Sequence, residues 1–378
     1  MAGKSKLVKV IYIISDIEKA LSFEWIVSKI DRSRFDLRFI LIGKQDTSIF
    51  RFLQNENVPS YSIQITSLSS SIIGFFEIVK ILYHEKPQIV HSHLLKASLI
   101  GLSAAYLLNI PSRIYTRHHS ALHHYYHKKG IWYDKLINYL STDIIALCQN
   151  SKEILSKWED VSDRKIRLLP HGFDIDSFEN VPQSRVQSLK ERYSLADRSP
   201  VVGVIARFTE WKGIQHVIPA FRDLLKNYPG SCLVLANAYG DYAKAIDSQL
   251  DKNLPKNSFI KIHFEEDLQA LYQLFDLYVH VPIDPYVEAF GQTYIESLAA
   301  GVPSIFTLSG IACDFVENDF NALVVDYQNS DEITRAMHRI LTEKSLKEKL
   351  VINGRKSIRY KYDLDLMIKS LERLYSNT

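Results

Sequence analysis

The sequence predicts an α/β protein made of two Rossmann-like domains, each built on a parallel sheet. Three observations predict it: strand and helix patterns alternate through the first part, a polar stretch at 181–199 interrupts them, and a second alternating series restarts at 201–206. Alternation of this kind requires crossover helices between parallel strands. At 378 residues and 46% hydrophobic content, the chain can bury two cores of ordinary size.

In the first half, the runs 7–14, 35–42, 89–91, 144–147 and 166–169 read as strands, with helices over 20–30, 72–83 and 97–107. Lysines precede the run 7–14 as in a signal peptide, but Lys9 interrupts it and no small-residue cleavage site follows, so it reads as the first strand. Prolines at 182 and 200 edge the polar stretch, which marks the domain junction. The expected division is 1–182, 183–355 and a helical segment 356–378. No apolar stretch approaches the roughly 20 residues of a spanning helix, so any membrane contact is peripheral.

The formal charge of +3 is too small for bulk nucleic-acid binding. Cys148, Cys232 and Cys313 are widely spaced and lack a CxxC pair, which excludes a disulfide framework or cysteine zinc site and fits a reducing compartment.

The segment from Glu288 to Glu296 carries most of the chemistry. Tyr294, Ile295, Leu298 and Ala299 recur at helical spacing, and Gly301 with Pro303 stops the helix at about Ala300. Ahead of it, the segment Ala289, Phe290, Gly291 and Gln292 forms a helix start whose backbone N–H groups are expected to seat a phosphate. Helical side chains lean toward the N-terminus, so Glu296 points to that seat and Glu288 lies in the loop before it. Carboxylates repel phosphate and suit hydroxyls, so the expected ligand is a sugar joined to a phosphate. Most glutamate pairs are merely solvated surface charges. These follow the strand-like run 277–282, and open α/β sheets bind ligands beyond their strands' carboxyl ends.

A second group follows the buried-type strand 201–206: Arg207, then Lys212-Gly213 opening a helix over 214–225. Arg forks onto phosphate oxygens and Lys adds a point charge, a pair suited to a leaving diphosphate. Alone, such a pair is an ordinary basic helix start.

On these residues the chain resembles the retaining GT-B glycosyltransferases of family 4. The resemblance rests on Arg207, Lys212-Gly213, the strand at 231–235, the segment Asp267 to Tyr272, the Glu-x7-Glu segment, Ala300 to Pro303, and Gly310. It implies a GT-B fold with a central interdomain cleft and a last helix, within 364–375, returning to the first domain. It implies that Glu288 contacts the donor sugar, Glu296 the ribose hydroxyls, and Arg207 and Lys212 the diphosphate, with amides near Phe290, Gly291 and Gln292 completing the seat. A histidine in the loop after the strand 113–116 is also implied near the sugar; His118 fits best, with His119 the rival. The expected catalytic set is Glu288, His118, Arg207 and Lys212, with Ser15, Asp16, His118 and His119 facing the acceptor. Ser15 or Asp16 as a helix N-cap is the alternative.

Three departures from the family pattern stand out. Ser15-Asp16-Ile17-Glu18 replaces a glycine-bearing first loop, His171 replaces an asparagine before Gly172, and Asn237-Ala238 occupies a Gly-x-Gly position. Asp174-Ile175-Asp176 mimics a metal motif of another glycosyltransferase fold but follows an interdomain turn, where aspartates are common. Seven of thirteen histidines fall between His91 and His127. His91 and His93 share a strand face, while His119, His123 and His127 have helical spacing, yet no cysteine or carboxylate cluster completes a metal set.

The resemblance therefore implies a metal-independent, cofactor-free transfer of a hexosyl or N-acetylhexosaminyl group. The donor is a nucleoside-diphosphate sugar, UDP favoured and GDP admitted; the acceptor is a saccharide hydroxyl, with a lipid-linked saccharide of cell-envelope polysaccharide synthesis preferred. Cations and a helix terminus would stabilise the leaving diphosphate, whose oxygen can take the acceptor proton. The basic and aromatic segment 123–133 suits a peripheral membrane face, a saccharide-stacking surface or a solvated helix edge, consistent with a cytoplasmic enzyme at the membrane. The rivals are a sugar-nucleotide epimerase of similar fold and a non-catalytic sugar-nucleotide-binding partner.

Overall fold

A computed structural model of the chain describes residues 7–18 and 21–377. The lysine-bearing residues before Leu7 and the first residue of the helix expected over 20–30 lie outside them; the helix is observed over Leu21–Lys29. The chain forms two compact units, 1–172 with 364–378, and 173–363.

The first unit holds β1 (Val8–Ser15), β2 (Phe35–Ile42), β3 (Ser60–Ile63), β4 (Ile89–His93), β5 (Ser112–Thr116), β6 (Asp143–Ala146) and β7 (Ile166–Leu168), all parallel in the order β3-β2-β1-β4-β5-β6-β7. The second holds β8 (Val201–Ile205), β9 (Cys232–Ala236), β10 (Phe259–Ile262), β11 (Leu277–His280), β12 (Ser304–Phe306) and β13 (Leu323–Val324), parallel in the order β10-β9-β8-β11-β12-β13. In each sheet the order reverses beside the first strand, at β1/β4 and at β8/β11. Such reversals open a crevice at the strands' carboxyl ends, where ligands bind.

Burial on both sheet faces explains the near-continuous apolar strands. Ile11, Ile13, Ile40 and Val90 pack with Ile78 and Leu82 of the helix Leu68–Glu85 in the first unit. Val202, Val204, Leu233, Leu235 and Val279 pack with Phe221 and Leu224 of the helix Ile214–Leu225 in the second. Gly203 interrupts β8 because a Cβ there would lie 2.2 Å from the Phe275 ring.

The expected junction at 181–199 is corrected. It carries the helix Gln183–Arg192 inside the second unit, and Arg185 forks onto Asp267 at 2.5 and 2.8 Å. The divisions fall after Gly172 and Asp363 rather than at 182 and 355. Polarity there marks a one-sided surface helix, which sequence reads like a linker. The segment after 355 likewise continues the helix Lys344–Arg359 within the second unit, and Arg359 pairs with Asp176 and Glu179.

The last helix, Leu364–Ser376, belongs to the first unit, as the resemblance implies. Its Tyr375 hydroxyl meets Tyr12 at 2.5 Å and His91 Nδ1 at 2.7 Å, while Glu372 accepts from the Asp31 amide at 2.8 Å. Tyr375→Phe strands the buried His91 nitrogen, so we expect a loss of about 1–3 kcal/mol, read by urea unfolding of the full chain.

Candidate functional site

Beyond β8 the chain turns through Arg207 and a short 3-10 turn, Glu210–Lys212, before Gly213 caps the next helix in the left-handed region at φ 75. Gly213 is required on two counts: that φ, and a Cβ that would sit 1.8 Å from the Val281 carbonyl oxygen. The Ile283 amide donates to the Trp211 carbonyl at 3.1 Å. The loops following β8 and β11 are thereby held together, and each supplies one half of an ion pair.

Lys212 Nζ lies 2.5 Å from Glu288 Oε1, and His280, the last residue of β11, approaches the same oxygen through Nε2 at 3.2 Å. Glu288 is buried. Burial alone would raise its carboxyl, but the Lys212 charge and the His280 hydrogen bond hold it far below the usual range. It stays ionised at any working pH. Burial depresses His280, so its ring is neutral; Nε2–H donates to the carboxylate and Nδ1 has no partner among the described residues. The Glu288 amide donates to Ser309 Oγ at 3.3 Å, and Gly310 brings its backbone against Glu288, where a Cβ would meet Glu288 Cβ at 2.8 Å.

Phe290 is buried, and Gly291 at φ 85 opens the helix Gln292–Ala299 without any side-chain cap, leaving the first amides to a ligand. Gln292 is exposed at this opening. Glu296, on that helix, is buried, and among the described residues the Tyr272 hydroxyl alone donates to its carboxylate, to Oε2 at 3.0 Å. Burial pushes its carboxyl up to about 7, against the lowering by Tyr272. The two glutamates therefore differ in kind: one is charge-paired, the other desolvated. Arg207 is exposed beyond β8, with no ion pair among the described residues.

In the first unit, His118 follows β5 with His93 Nδ1 2.9 Å from its Nε2 and the His171 ring stacked on it at 5.7 Å. Burial, with His171 and His91 nearby, holds the His118 ring well below its ordinary range, hence neutral. His119 turns to a different set, 3.1 Å from Asp134 Oδ1. Ser15 is buried and its hydroxyl accepts from the Ala97 amide at 3.3 Å, capping the helix Leu95–Leu107, whose own cap residue Leu94 offers no side chain bond. Asp16 is exposed in the left-handed region at φ 54, beside Lys96 Nζ at 3.6 Å. It supplies the backbone shape that glycine was expected to provide, as does Asn237 at φ 59 after β9.

Asp176 pairs with Arg359 at 2.9 Å, so the Asp174–Asp176 pair serves the surface. The helical reading of His119, His123 and His127 is corrected: the helix is only Leu122–Tyr125, and His119 and His127 lie outside it. Sequence reasoning missed His280 and Tyr272 as partners of the two glutamates. A histidine ending an apolar strand was the available signal for the first; the second lay unassigned within the 267–272 segment.

Two parallel-sheet Rossmann-like units with this constellation beyond β8 and β11 define a glycosyltransferase of the GT-B fold. Two family descriptions together span most of the chain: glycosyl transferases group 1 over residues 186–357 and glycosyltransferase family 4 over residues 50–177. The chain belongs to this family, the group 1 or family 4 glycosyltransferases. It is 27% identical over 323 residues to the capsular polysaccharide biosynthesis glycosyltransferase CapM of Staphylococcus aureus, covering 82% of each chain. It is 24% identical over 327 residues to an Escherichia coli UDP-Gal:alpha-D-GlcNAc-diphosphoundecaprenol alpha-1,3-galactosyltransferase, covering 83% of this chain and 82% of that one. Anabaena HepE, solved with UDP and glucose, superposes with a TM-score of 0.85 at 18% identity over 98% of this chain and 100% of that chain.

Lys212→Ala leaves Glu288 buried without its cation, so we expect about 3–5 kcal/mol of lost stability near pH 8. In the native protein the depressed Glu288 stabilises above its unfolded value and loses this as pH falls through the folded one. In the variant the carboxyl rises instead, so its deficit against wild type shrinks on acidification. Urea unfolding at pH 8 and pH 5 measures both; a deficit that grows toward pH 5 contradicts the pairing.

Proposed function

We propose that this glycosyltransferase moves a hexosyl or N-acetylhexosaminyl group from a nucleoside-diphosphate sugar, UDP before GDP, to a hydroxyl of a lipid-linked saccharide, with retention and without a divalent ion at the diphosphate. The carrying observation is the Lys212–Glu288–His280 group beside an uncapped helix start, with Glu296 one turn further on. Lys212 and Arg207 with the amides at the uncapped helix start at 291–292 receive the diphosphate charge as the donor bond breaks, the work a metal ion does elsewhere. Ionised Glu288 cannot protonate a leaving group and instead accepts donor-sugar hydroxyls. His118 is the first-unit residue proposed to hydrogen-bond the sugar or the acceptor. The leaving phosphate oxygen takes the acceptor proton, and an inverted product anomer overturns that step. The E. coli relative that uses UDP-Gal and a diphosphoundecaprenol acceptor supports this donor and acceptor class.

Glu296 is the residue proposed for the ribose, and its elevated carboxyl provides a test. Hydroxyl donors favour the ionised form, so UDP binding pulls its value of about 7 downward and releases a proton. Below that pH, affinity weakens about tenfold per unit until the bound-state value is reached. Calorimetry with UDP, GDP and ADP in EDTA, in two buffers of different ionisation enthalpy, reads both affinity and proton count. Glu296→Gln is expected to abolish the release; UDP bound without proton release in wild type sinks the ribose role.

Peripheral membrane contact is the proposed setting. No helix among the described residues is long and apolar enough to cross a membrane. The helix Gly130–Leu140 exposes Trp132, Tyr133, Leu136 and Tyr139 at helical spacing, next to exposed Lys128, Lys129 and Lys135. We expect sedimentation with anionic phosphatidylglycerol vesicles to fall several-fold in Trp132→Ser with Tyr139→Ser, while UDP affinity holds. Equal sedimentation of both proteins removes this face from the proposal.

A further inference from the structure

A second chemical cluster lies in the first unit, apart from the residues of the second unit that carry the donor chemistry. His119 comes from the loop after β5, His123 from the short helix Leu122–Tyr125, and Asp134 from the helix Gly130–Leu140. One ligand atom from each falls within 4.8 Å of the others. The two imidazoles are 4.3 Å apart between centroids. His123 Nδ1 is 2.7 Å from Asp134 Oδ2.

The cluster holds more donor atoms than the described protein satisfies. Asp134 is 0% exposed, and its Oδ1 has no hydrogen-bond partner among the described residues. His119 Nε2 stands 3.1 Å from that oxygen, an ion-pair contact rather than an aligned hydrogen bond, and neither His119 nitrogen has a hydrogen-bond partner among the described residues. Buried polar atoms are nearly always satisfied. Two unsatisfied ligand atoms facing each other, with a third beside them, make a site that an ion would complete.

Arg117 Nη2 lies 3.5 Å from Asp134 Oδ2, which opposes a cation, but Glu159 grips Arg117 through both oxygens at 2.6 and 3.0 Å. The Arg117 and Glu159 charges cancel, so the Asp134 charge remains for a ligand. Asn138 and His124 also bond Glu159, at 2.7 and 3.1 Å, and so do not compete for Asp134. Gly130 is shaped for the cluster: a Cβ there would lie 2.5 Å from the His123 ring. The His119 side chain is 14% exposed, so the cluster lies close to the surface.

We propose that His119, His123 and Asp134 bind one divalent transition-metal ion, Zn2+ by preference, which clamps the segment 117–124 that carries His118. Two imidazoles and one carboxylate suit a four-coordinate zinc with water in the fourth place. Ligands at zinc distances of about 2.0–2.1 Å stand roughly 3.4 Å apart in a tetrahedron, so the three side chains close by small rotations. This ion is a clamp and takes no part in the diphosphate chemistry.

The test uses the full chain, stripped with EDTA and dialysed, then titrated with Co2+ and with Zn2+. We expect one Co2+ per chain, visible bands of a four-coordinate nitrogen and oxygen site, and displacement by Zn2+. His119→Ala and His123→Ala should each weaken binding at least tenfold, whereas His93→Ala should not; Asp134 is left intact because it also holds Arg117. Zn2+ should raise the Tm of the stripped wild type by an amount that grows with concentration, and leave UDP affinity unchanged. Failure to bind one ion at tens of micromolar overturns the proposal, as does binding that survives both variants or is lost in His93→Ala. UDP affinity is read separately, so either reading can fail alone.

Discussion

The ion pair between Lys212 and Glu288 is the constraint on which the second unit's functional end depends. It joins the loop after β8 to the loop after β11 at the point where strand order reverses. A buried pair gains little net stability, because desolvation consumes most of the attraction, but breaking it is expensive. Such a pair therefore fixes geometry more than it stabilises. Gly213 against the Val281 carbonyl, Gly310 against Glu288 and the Trp211–Ile283 backbone bond all serve that geometry. The protein's own contacts hold Glu288 charged and desolvated, the condition that the proposed electrostatic role at the diphosphate would need.

The two glutamates show how burial and partnership separate identical side chains. Glu288 has a cation and a neutral imidazole donor within 3.2 Å; Glu296 has one phenol. One is locked ionised and the other titrates near neutrality. Eight residues apart in sequence, they differ because one lies in the loop facing Lys212 and the other on a helix face beside Tyr272.

Much of this was legible in the sequence, and the reasons are local. Apolar β-branched strands and the Gly301–Pro303 stop follow rules of a few residues' range, and Lys212 and Glu288 each stood out within its own short segment. What was missed is non-local or ambiguous in composition. The helix Gln183–Arg192 buries only a narrow stripe, so its polarity read as a junction. Asp16 and Asn237 adopt left-handed backbone that glycine would mark in sequence. His280 and Tyr272 acquire meaning only once β11 and the helix Gln292–Ala299 are side by side. The histidine-rich segment separated into two clusters, at His93–His118–His171 and His119–His123–Asp134, by a division between adjacent residues that spacing cannot reveal.

The placement of the helix Leu364–Ser376 in the first unit makes the second unit a continuous insertion within it. A ribosome delivers residues 173–363 as one uninterrupted stretch, so that unit has every strand of its sheet available before the first unit has its last helix. Until Tyr375 emerges, Tyr12 and His91 on the central strands β1 and β4 lack their shared partner. During synthesis the half begun first is thus the half completed last, and its exposed strand faces are what a chaperone would meet on the nascent chain.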